Sequence, residues 1–270
     1  MMRESSKTHK KIVIKIGSGV LTRDRGMQMN NQVIAGIAQA VSRLKTAGHH
    51  CVIVTSGAVA AGLPSFQLVS RPEKLEMLQA CAAAGQARLM HLYEDLFRTH
   101  KLKVAQLLLT HEDLRNADRS SNVLRTLRAI LRFPNVIPII NENDSVAVEE
   151  LRVGDNDLLS SNVAQLLEAD QFILLTSVPG LRGPDATDEN DIITEVDHVE
   201  SVMGFANGET GNFSVGGMKT KLEAVKCAVN SGIETIIASG LHPDQLPDLV
   251  EGKGIGTRFH ASKSVLLPPK

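Results

Sequence analysis

Val136-Ile-Pro-Ile-Ile-Asn-Glu-Asn-Asp144 begins as an apolar, β-branched run of strand length and turns abruptly polar. Such a run, bounded by polar residues, reads as a buried strand that opens into a loop. Ten residues after Asp144, Gly154-Asp155-Asn156-Asp157 leads directly into an apolar stretch with helical spacing from about Leu158 to Leu167. Asp144, Asp155 and Asp157 thus fall with Asn141, Asn143 and Asn156 inside seventeen residues. So many carboxylates and amides together are too polar to be core. They sit where a strand ends and a helix begins, which is where open α/β folds place ligands.

The same alternation extends in both directions. Ile12–Ile16 is a short β-branched strand with Lys15 at its tip, followed at once by Gly17-Ser18-Gly19. Asn30 or Asn31 can cap a helix whose apolar positions Val33, Ile34, Ile37, Val41 and Leu44 have helical spacing and which stops at Gly48. Cys51–Val54 is the next strand, closed by Thr55-Ser56-Gly57. A long amphipathic pattern covers Pro72–Phe97, a strand Val104–Leu109, a helix Val123–Leu131 and a strand Val136–Ile140. Beyond Leu167 come the strand Phe172–Leu175, a glycine loop at Gly216-Gly217, a helix Lys219–Val229 and a strand Thr235–Ala238. Parallel strands need crossover helices and are covered on both faces, so the expected fold is a three-layer α/β/α sandwich with a mainly parallel sheet. The expected organisation is one unit over residues 11–261, with lobes at 11–168 and 169–261 and a cleft along the carboxyl ends of the strands. Irregular loops around residues 18–30, 180–192 and 204–217 read as ligand covers or interfaces.

Composition narrows the function. Of 270 residues 43% are hydrophobic and 22% charged, with a net charge of −1, as in an ordinary globular chain. Seven Phe, one Tyr and no Trp leave little for base stacking, and the charge offers no basic groove, so nucleic acid is excluded as the expected ligand. The polar amino terminus and the lack of an eighteen-residue apolar run point away from membranes and toward the cytoplasm. Cys51, Cys81 and Cys227 lie in apolar segments without metal spacing and read as buried free thiols. His49-His50 has no partner at metal spacing, and Arg115, Arg119, Arg125, Arg128 and Arg132 read as a solvated or subunit-facing helix surface.

Chemistry converges on anion handling. Gly17-Ser18-Gly19 after a strand lets a phosphate or carboxylate approach backbone N–H groups, with Lys15 beside it, although such a turn taken alone more often serves structure. It lacks the third glycine of a dinucleotide fingerprint. Gly211-Asn-Phe-Ser-Val-Gly216-Gly217-Met-Lys219-Thr-Lys221 resembles a Walker loop, yet glycine rather than lysine follows Gly216, so the P-loop template fails. Glycines entering a helix still present N–H groups and a positive dipole end, and Lys219 and Lys221 add mobile cations in its first turn. Thr55-Ser56-Gly57-Ala58 fits a helix cap or a small-molecule contact, and Ser56 is in no nucleophile elbow. Two glycine loops, each with a lysine, around an acid and amide cluster suit phosphoryl transfer, where alignment and charge neutralisation supply most of the catalysis. An aspartate there serves as an anchor for the ammonium groups.

With these motifs in view the chain resembles the glutamate 5-kinases of the amino acid kinase superfamily. The resemblance runs from about Lys11 to Ala261 and rests on Val13-Ile-Lys-Ile-Gly-Ser18, Val52-Ile-Val-Thr-Ser-Gly-Ala58, Ile140-Asn-Glu-Asn-Asp144, Val153-Gly-Asp-Asn-Asp157 and Gly216-Gly-Met-Lys-Thr-Lys221. It implies ATP-dependent phosphorylation of the L-glutamate γ-carboxylate, the first step toward proline, with Mg²⁺, feedback inhibition by proline and a homodimer or homotetramer. It also implies a chain without the carboxy-terminal PUA domain that the family often carries. By position, Lys15 and Lys221 are like the family's phosphate lysines and Asp157 like the residue organising them. Ser56, Asp144 and Asn156 match glutamate contacts, with Asp144 suited to the substrate ammonium. The resemblance places Lys15, Gly17, Ser18, Thr176, Ser177, Val215, Gly216, Gly217, Met218, Lys219, Thr220 and Lys221 around the nucleotide. Ser177 stands where the family commonly has aspartate, and Val215 where a hydroxyl residue is common; both changes fall on the nucleotide side. A different acceptor on the same fold, or an inactive amino-acid sensor, are the competing readings.

Overall fold

A computed structural model describes residues 9–147, 156–188, 191–208 and 217–262, with the side chains of 206–208 left out. In chain order the elements are β1 (Lys11–Ile16), α1 (Ser18–Leu21), β2 (Thr22–Arg23), β3 (Gln28–Met29), α2 (Asn31–Thr46), β4 (His50–Val54), α3 (Ala58–Gly62), α4 (Leu75–Arg98) and β5 (Lys103–Leu109). Then come α5 (His111–Arg115), α6 (Ala117–Leu131), β6 (Val136–Glu142), α7 (Asn156–Leu167), β7 (Gln171–Thr176) and β8 (Glu195–Val196). A 3-10 stretch at Val199–Gly208, α8 (Met218–Asn230), β9 (Glu234–Ser239), α9 (Leu246–Val250) and β10 (Thr257–Phe259) follow.

Among the described residues eight strands form one sheet in the order β5-β6-β4-β1-β7-β9-β10-β8. Every pairing is parallel except β9 with β10. This is the mainly parallel three-layer arrangement expected from the alternation. β1 lies at the switch point, with β4 on one side and β7 on the other, so the order reverses there, and the carboxyl ends of strands at such a point are where open α/β sheets place ligands. β7 follows the boundary expected between the lobes, yet it pairs along its length with β1, so one sheet carries both expected lobes.

The period-2 geometry of a strand explains which face each side chain joins. Ile12, Ile14 and Ile16 enter one apolar cluster with Ile34, Ile37, Val41 and Leu44 of α2 and Leu89, Tyr93 and Phe97 of α4. Val13 enters the other cluster, with Leu159 and Val163 of α7 and Leu222, Val225 and Val229 of α8. β7 divides in the same way, Ile173 and Leu175 to the first face and Phe172 and Leu174 to the second. Each such side chain taken fully from water contributes about 1.5–3 kcal/mol, which ties the three layers together. Lys15 follows Val13 by two residues and therefore shares the α7 and α8 face at the strand's end.

Local chemistry sets the boundaries that periodicity leaves loose. Asn30 caps α2, its side chain accepting from the Val33 N–H. Asn116 accepts from the Asp118 and Arg119 N–H groups, which starts α6 six residues before the expected Val123. α4 begins at Leu75 rather than Pro72. The loop expected at 18–30 folds partly into α1 and the β2–β3 hairpin, turning through Asp24, Arg25 and Gly26 at positive φ. Of the three cysteines expected to be buried, Cys51 and Cys81 are, whereas Cys227 is exposed on α8 because the apolar stripe of that helix runs through Leu222, Val225 and Val229.

α3 and α4 touch backbone to backbone, a contact no periodicity reveals. A Cβ on Gly62 would lie 1.8 Å from the Cys81 carbonyl oxygen, and one on Gly85 would lie 1.8 Å from that of Ala58. Neither neighbour can give way as a flexible side chain would. Gly85→Ala is expected to lower stability by about 1–3 kcal/mol or more through overpacking, seen as a reduced thermal unfolding midpoint. An unchanged midpoint would contradict this close approach.

Candidate active site

The candidate site lies at the carboxyl ends of β1, β4 and β6 and takes in the first turns of α7 and α8. Its centre is Asp157, in the first turn of α7 and wholly buried at 0% exposure. One carboxylate oxygen, Oδ1, pairs with the Lys15 ammonium arriving from β1. The other, Oδ2, accepts from Lys221 Nζ at 3.2 Å and from Thr220 Oγ1 at 3.2 Å, both in the first turn of α8. Lys15 and Lys221 are themselves only 4% and 8% exposed. Burial alone would raise the Asp157 pKa, but the two ammonium charges and their hydrogen bonds outweigh it and hold the carboxyl below its ordinary value of 3.8. Two ammonium groups against one carboxylate give the trio a formal excess of positive charge, which suits an anion.

Two expectations need correction here. Asn141 and Asp157 were expected to be too polar for the interior, yet Asn141 is 1% exposed and Asp157 is wholly enclosed. They are tolerated because each has partners, the condition under which polar groups are buried. Lys221 was expected to be a mobile cation beside Lys219. Helical spacing separates the two: Lys219 stays exposed, while Lys221 turns inward with Leu222 and is held by Asp157.

The amide half of the site adjoins the charged half. Asn156 precedes Asp157, and its Nδ2 donates to the Thr55 carbonyl oxygen at 2.7 Å and to Asn141 Oδ1 at 3.0 Å, with Ser56 Oγ 3.3 Å away as a third, shared acceptor. Thr55 is anchored in turn, its hydroxyl 2.8 Å from that of Tyr93 on α4. Neither Thr55 nor Ser56 caps α3. That position belongs to Gly57, whose φ of 100° favours glycine, so the helix-cap alternative is removed. Asp144 lies half-buried in the turn after β6, where the Arg71 guanidinium feels its charge.

Around the nucleotide side, the Gly17 N–H is spent on the Leu175 carbonyl oxygen at 3.0 Å, which leaves Ser18 and Gly19 as the amides that open α1. Thr176 is 7% exposed, its carbonyl accepting from the Gly240 N–H at 2.8 Å, and Ser177 is exposed beside Gly19. Gly217 is the N-cap of α8, where a Cβ would meet nothing within 4 Å among the described residues, while Met218 turns into the apolar cluster. Asp155, Val215 and Gly216 lie outside the described residues. Among the described residues no group of three or more His, Cys, Asp or Glu side chains could hold a metal ion. Among them, too, no helix is long and apolar enough to cross a membrane. Sequence reasoning passed over Tyr93, Arg71 and Gln86. Gln86 stands four residues after Ala82 and three before Leu89 on the buried face of α4, a polar break in an apolar stripe that could have been noticed.

The model of the Amino acid kinase family matches residues 10–239. Curated relatives named glutamate 5-kinase include one from Carboxydothermus hydrogenoformans, 41% identical over 265 residues, and one from Thermus thermophilus, 43% identical over 256 residues. These alignments cover 97% and 94% of this chain and 71% and 68% of the relatives. The chain belongs to the amino acid kinase family. A solved amino acid kinase fold agrees: carbamate kinase from Giardia lamblia bound to AMP-PNP superposes with a TM-score of 0.62 at 16% identity, over 94% of this chain and 99% of that one. At that identity the likeness concerns the fold alone.

The ion trio makes stability depend on pH. A carboxylate whose folded pKa is depressed stabilises the fold above its unfolded value and loses that contribution as pH falls through the folded one. Asp157→Asn, which strands two buried ammonium groups, is expected to cost about 3–5 kcal/mol at pH 7. The gap to wild type should narrow below about pH 4, as read from denaturant unfolding at a series of pH values. A gap that stays constant into acid would contradict the depressed carboxyl.

Proposed function

We propose that the chain transfers the γ-phosphoryl group of ATP to the γ-carboxylate of L-glutamate, giving γ-glutamyl phosphate and ADP, the first step of proline biosynthesis. The observation that carries this reading is the direct succession of Asn156 and Asp157. One residue engages the Thr55-Ser56 turn and Asn141, and the next engages Lys15 and Lys221. Acceptor binding and phosphoryl handling are thereby joined through a single peptide unit of α7.

In this reading Ser56, Asp144 and Asn156 receive glutamate, with the Asp144 carboxylate meeting the α-ammonium. A γ-carboxylate oxygen forms a bond to the γ-phosphorus as the bond from that phosphorus to the ADP oxygen breaks in line. Both reactants are anions, so their approach is opposed by charge. Lys15 and Lys221 offset it, and Asp157 holds their ammonium groups where charge builds up on the transferring group. The amides of Ser18, Gly19, Gly217 and the first turn of α8 would face the phosphates, with Thr176 and Ser177 nearer the nucleotide's remaining groups. By the sequence resemblance, the assignment of Gly216, Val215 and Lys219 to the nucleotide is part of the same reading. Mg²⁺ fits as an ion brought in with ATP, because both oxygens of Asp157 are engaged by lysines and hard Mg²⁺ binds largely through substrate phosphates and water. It would supply further neutralisation of the phosphates.

The enzyme is expected in the cytoplasm, as a homodimer or homotetramer, with feedback inhibition by proline. Residues 11–168 would then form the acceptor lobe and 169–261 the nucleotide lobe.

Incubation of purified protein with Mg-ATP, L-glutamate and hydroxylamine should yield glutamyl hydroxamate. ATP consumption only with another acceptor would contradict the reading. Lys221→Ala should lower kcat by roughly 10²–10³-fold with little change in glutamate KM, as expected for a group that acts mainly in the transition state. A raised glutamate KM with kcat intact would place Lys221 on the acceptor side instead.

A further inference from the structure

The amide of Asn156 is the inner end of a longer chain of hydrogen bonds. Its Nδ2 donates to Asn141 Oδ1 at 3.0 Å, Asn141 Nδ2 donates to Gln86 Oε1 at 2.8 Å, and Gln86 Nε2 donates to Gln106 Oε1 at 2.9 Å. Four side chains from α7, β6, α4 and the edge strand β5 are thus linked from the buried site to the surface. The polarity of the chain follows from one backbone atom. The Thr55 carbonyl oxygen, 2.7 Å from Asn156 Nδ2, can only accept, so the atom facing it must be the NH₂ group. That NH₂ requires an oxygen from Asn141, which leaves the Asn141 NH₂ seeking an acceptor, and Gln86 Oε1 supplies it. Asn141 is 1% exposed, so it has little water to turn to if Gln86 is lost.

We propose that Gln86 is a positioning residue for the acceptor: acting through Asn141, it holds Asn156 in the one amide orientation that spends Nδ2 on protein and presents Oδ1 as an acceptor to the substrate ammonium. The proposal rests on the reading of this site as a glutamate site. Gln86 itself does not touch substrate. Without its acceptor, the Asn141 amide is released to rotate, its oxygen no longer faces Asn156, and the glutamate site loses a fixed hydrogen-bond acceptor. The phosphate half, held by Asp157, is untouched because no link of the amide chain passes through it.

Steady-state kinetics of wild type, Gln86→Leu and Gln86→Glu, together with their thermal unfolding midpoints, test the inference. Gln86→Leu removes the acceptor, and glutamate KM should rise about tenfold while kcat and the KM for ATP stay within about twofold. Gln86→Glu keeps an oxygen for Asn141 while giving up the donor to Gln106 and adding a carboxylate charge, so it should restore glutamate KM to within about twofold of wild type. An unchanged glutamate KM in folded Gln86→Leu overturns the inference, as does a loss confined to kcat. Failure of Gln86→Glu to rescue also overturns it, since shape or neutrality would then be what matters. Wild-type protein that forms no glutamyl hydroxamate overturns the functional reading itself, and with it this inference.

Discussion

A carboxylate enclosed at 0% exposure between two lysines is the constraint to which the site answers. An isolated charge at that depth would be neutralised by a large pKa shift, and a single pair would leave carboxylate lone pairs without donors. Asp157 meets both demands by using each oxygen on a different lysine and adding the Thr220 hydroxyl. In return it fixes two long, flexible side chains that would otherwise sample many rotamers. The partners come from distant parts of the chain, Lys15 from the first strand and Lys221 from a helix some two hundred residues later, so the trio forms only once the sheet has assembled around β1. Fold and site are therefore coupled through one side chain.

The switch point at β1 makes that coupling possible. Because β4 and β7 flank β1 in parallel, their carboxyl ends deliver Thr55-Ser56 and Thr176 to the same edge that Lys15 reaches. Helix α7 enters this edge with Asn156 and Asp157 in succession. Consecutive helical positions diverge by about a hundred degrees, so the two side chains can address different neighbours while their backbones move as one. The close approach of α3 and α4 at Gly62 and Gly85 supports the arrangement from behind, since α4 carries Tyr93, on which Thr55 rests, and Gln86, on which Asn141 rests.

The architecture was legible because its signals are local. Alternating apolar runs, Asn30 as a cap and the glycine turns each report on a few neighbouring residues, and their sum specifies a mainly parallel sheet. The candidate trio of Lys15, Asp157 and Lys221 was legible through motifs. Its degree of burial was not, because burial depends on which face of β1 meets α7 and α8. Lys219 and Lys221 look equivalent in sequence, and only packing of Leu222 into the core turns one inward and leaves the other in solvent. The Gly62–Gly85 contact and the Asn156–Asn141–Gln86–Gln106 chain escaped notice for the same reason, being made between separate elements whose packing no local pattern reports. Cys227 shows the reverse error, an apolar-looking neighbourhood that the helical period rotates to the surface.

The most direct test of the Asp157 anchor is the single-turnover rate of phosphoryl transfer in folded Asp157→Asn, with glutamate and ATP affinities measured separately on the same protein. The substitution keeps the side chain's size and removes the charge that orders the two ammonium groups. The expected result is a chemical step slowed by roughly 10²–10³-fold with both substrates still bound near their wild-type Kd. A near-wild-type rate would show that Lys15 and Lys221 work without the carboxylate between them.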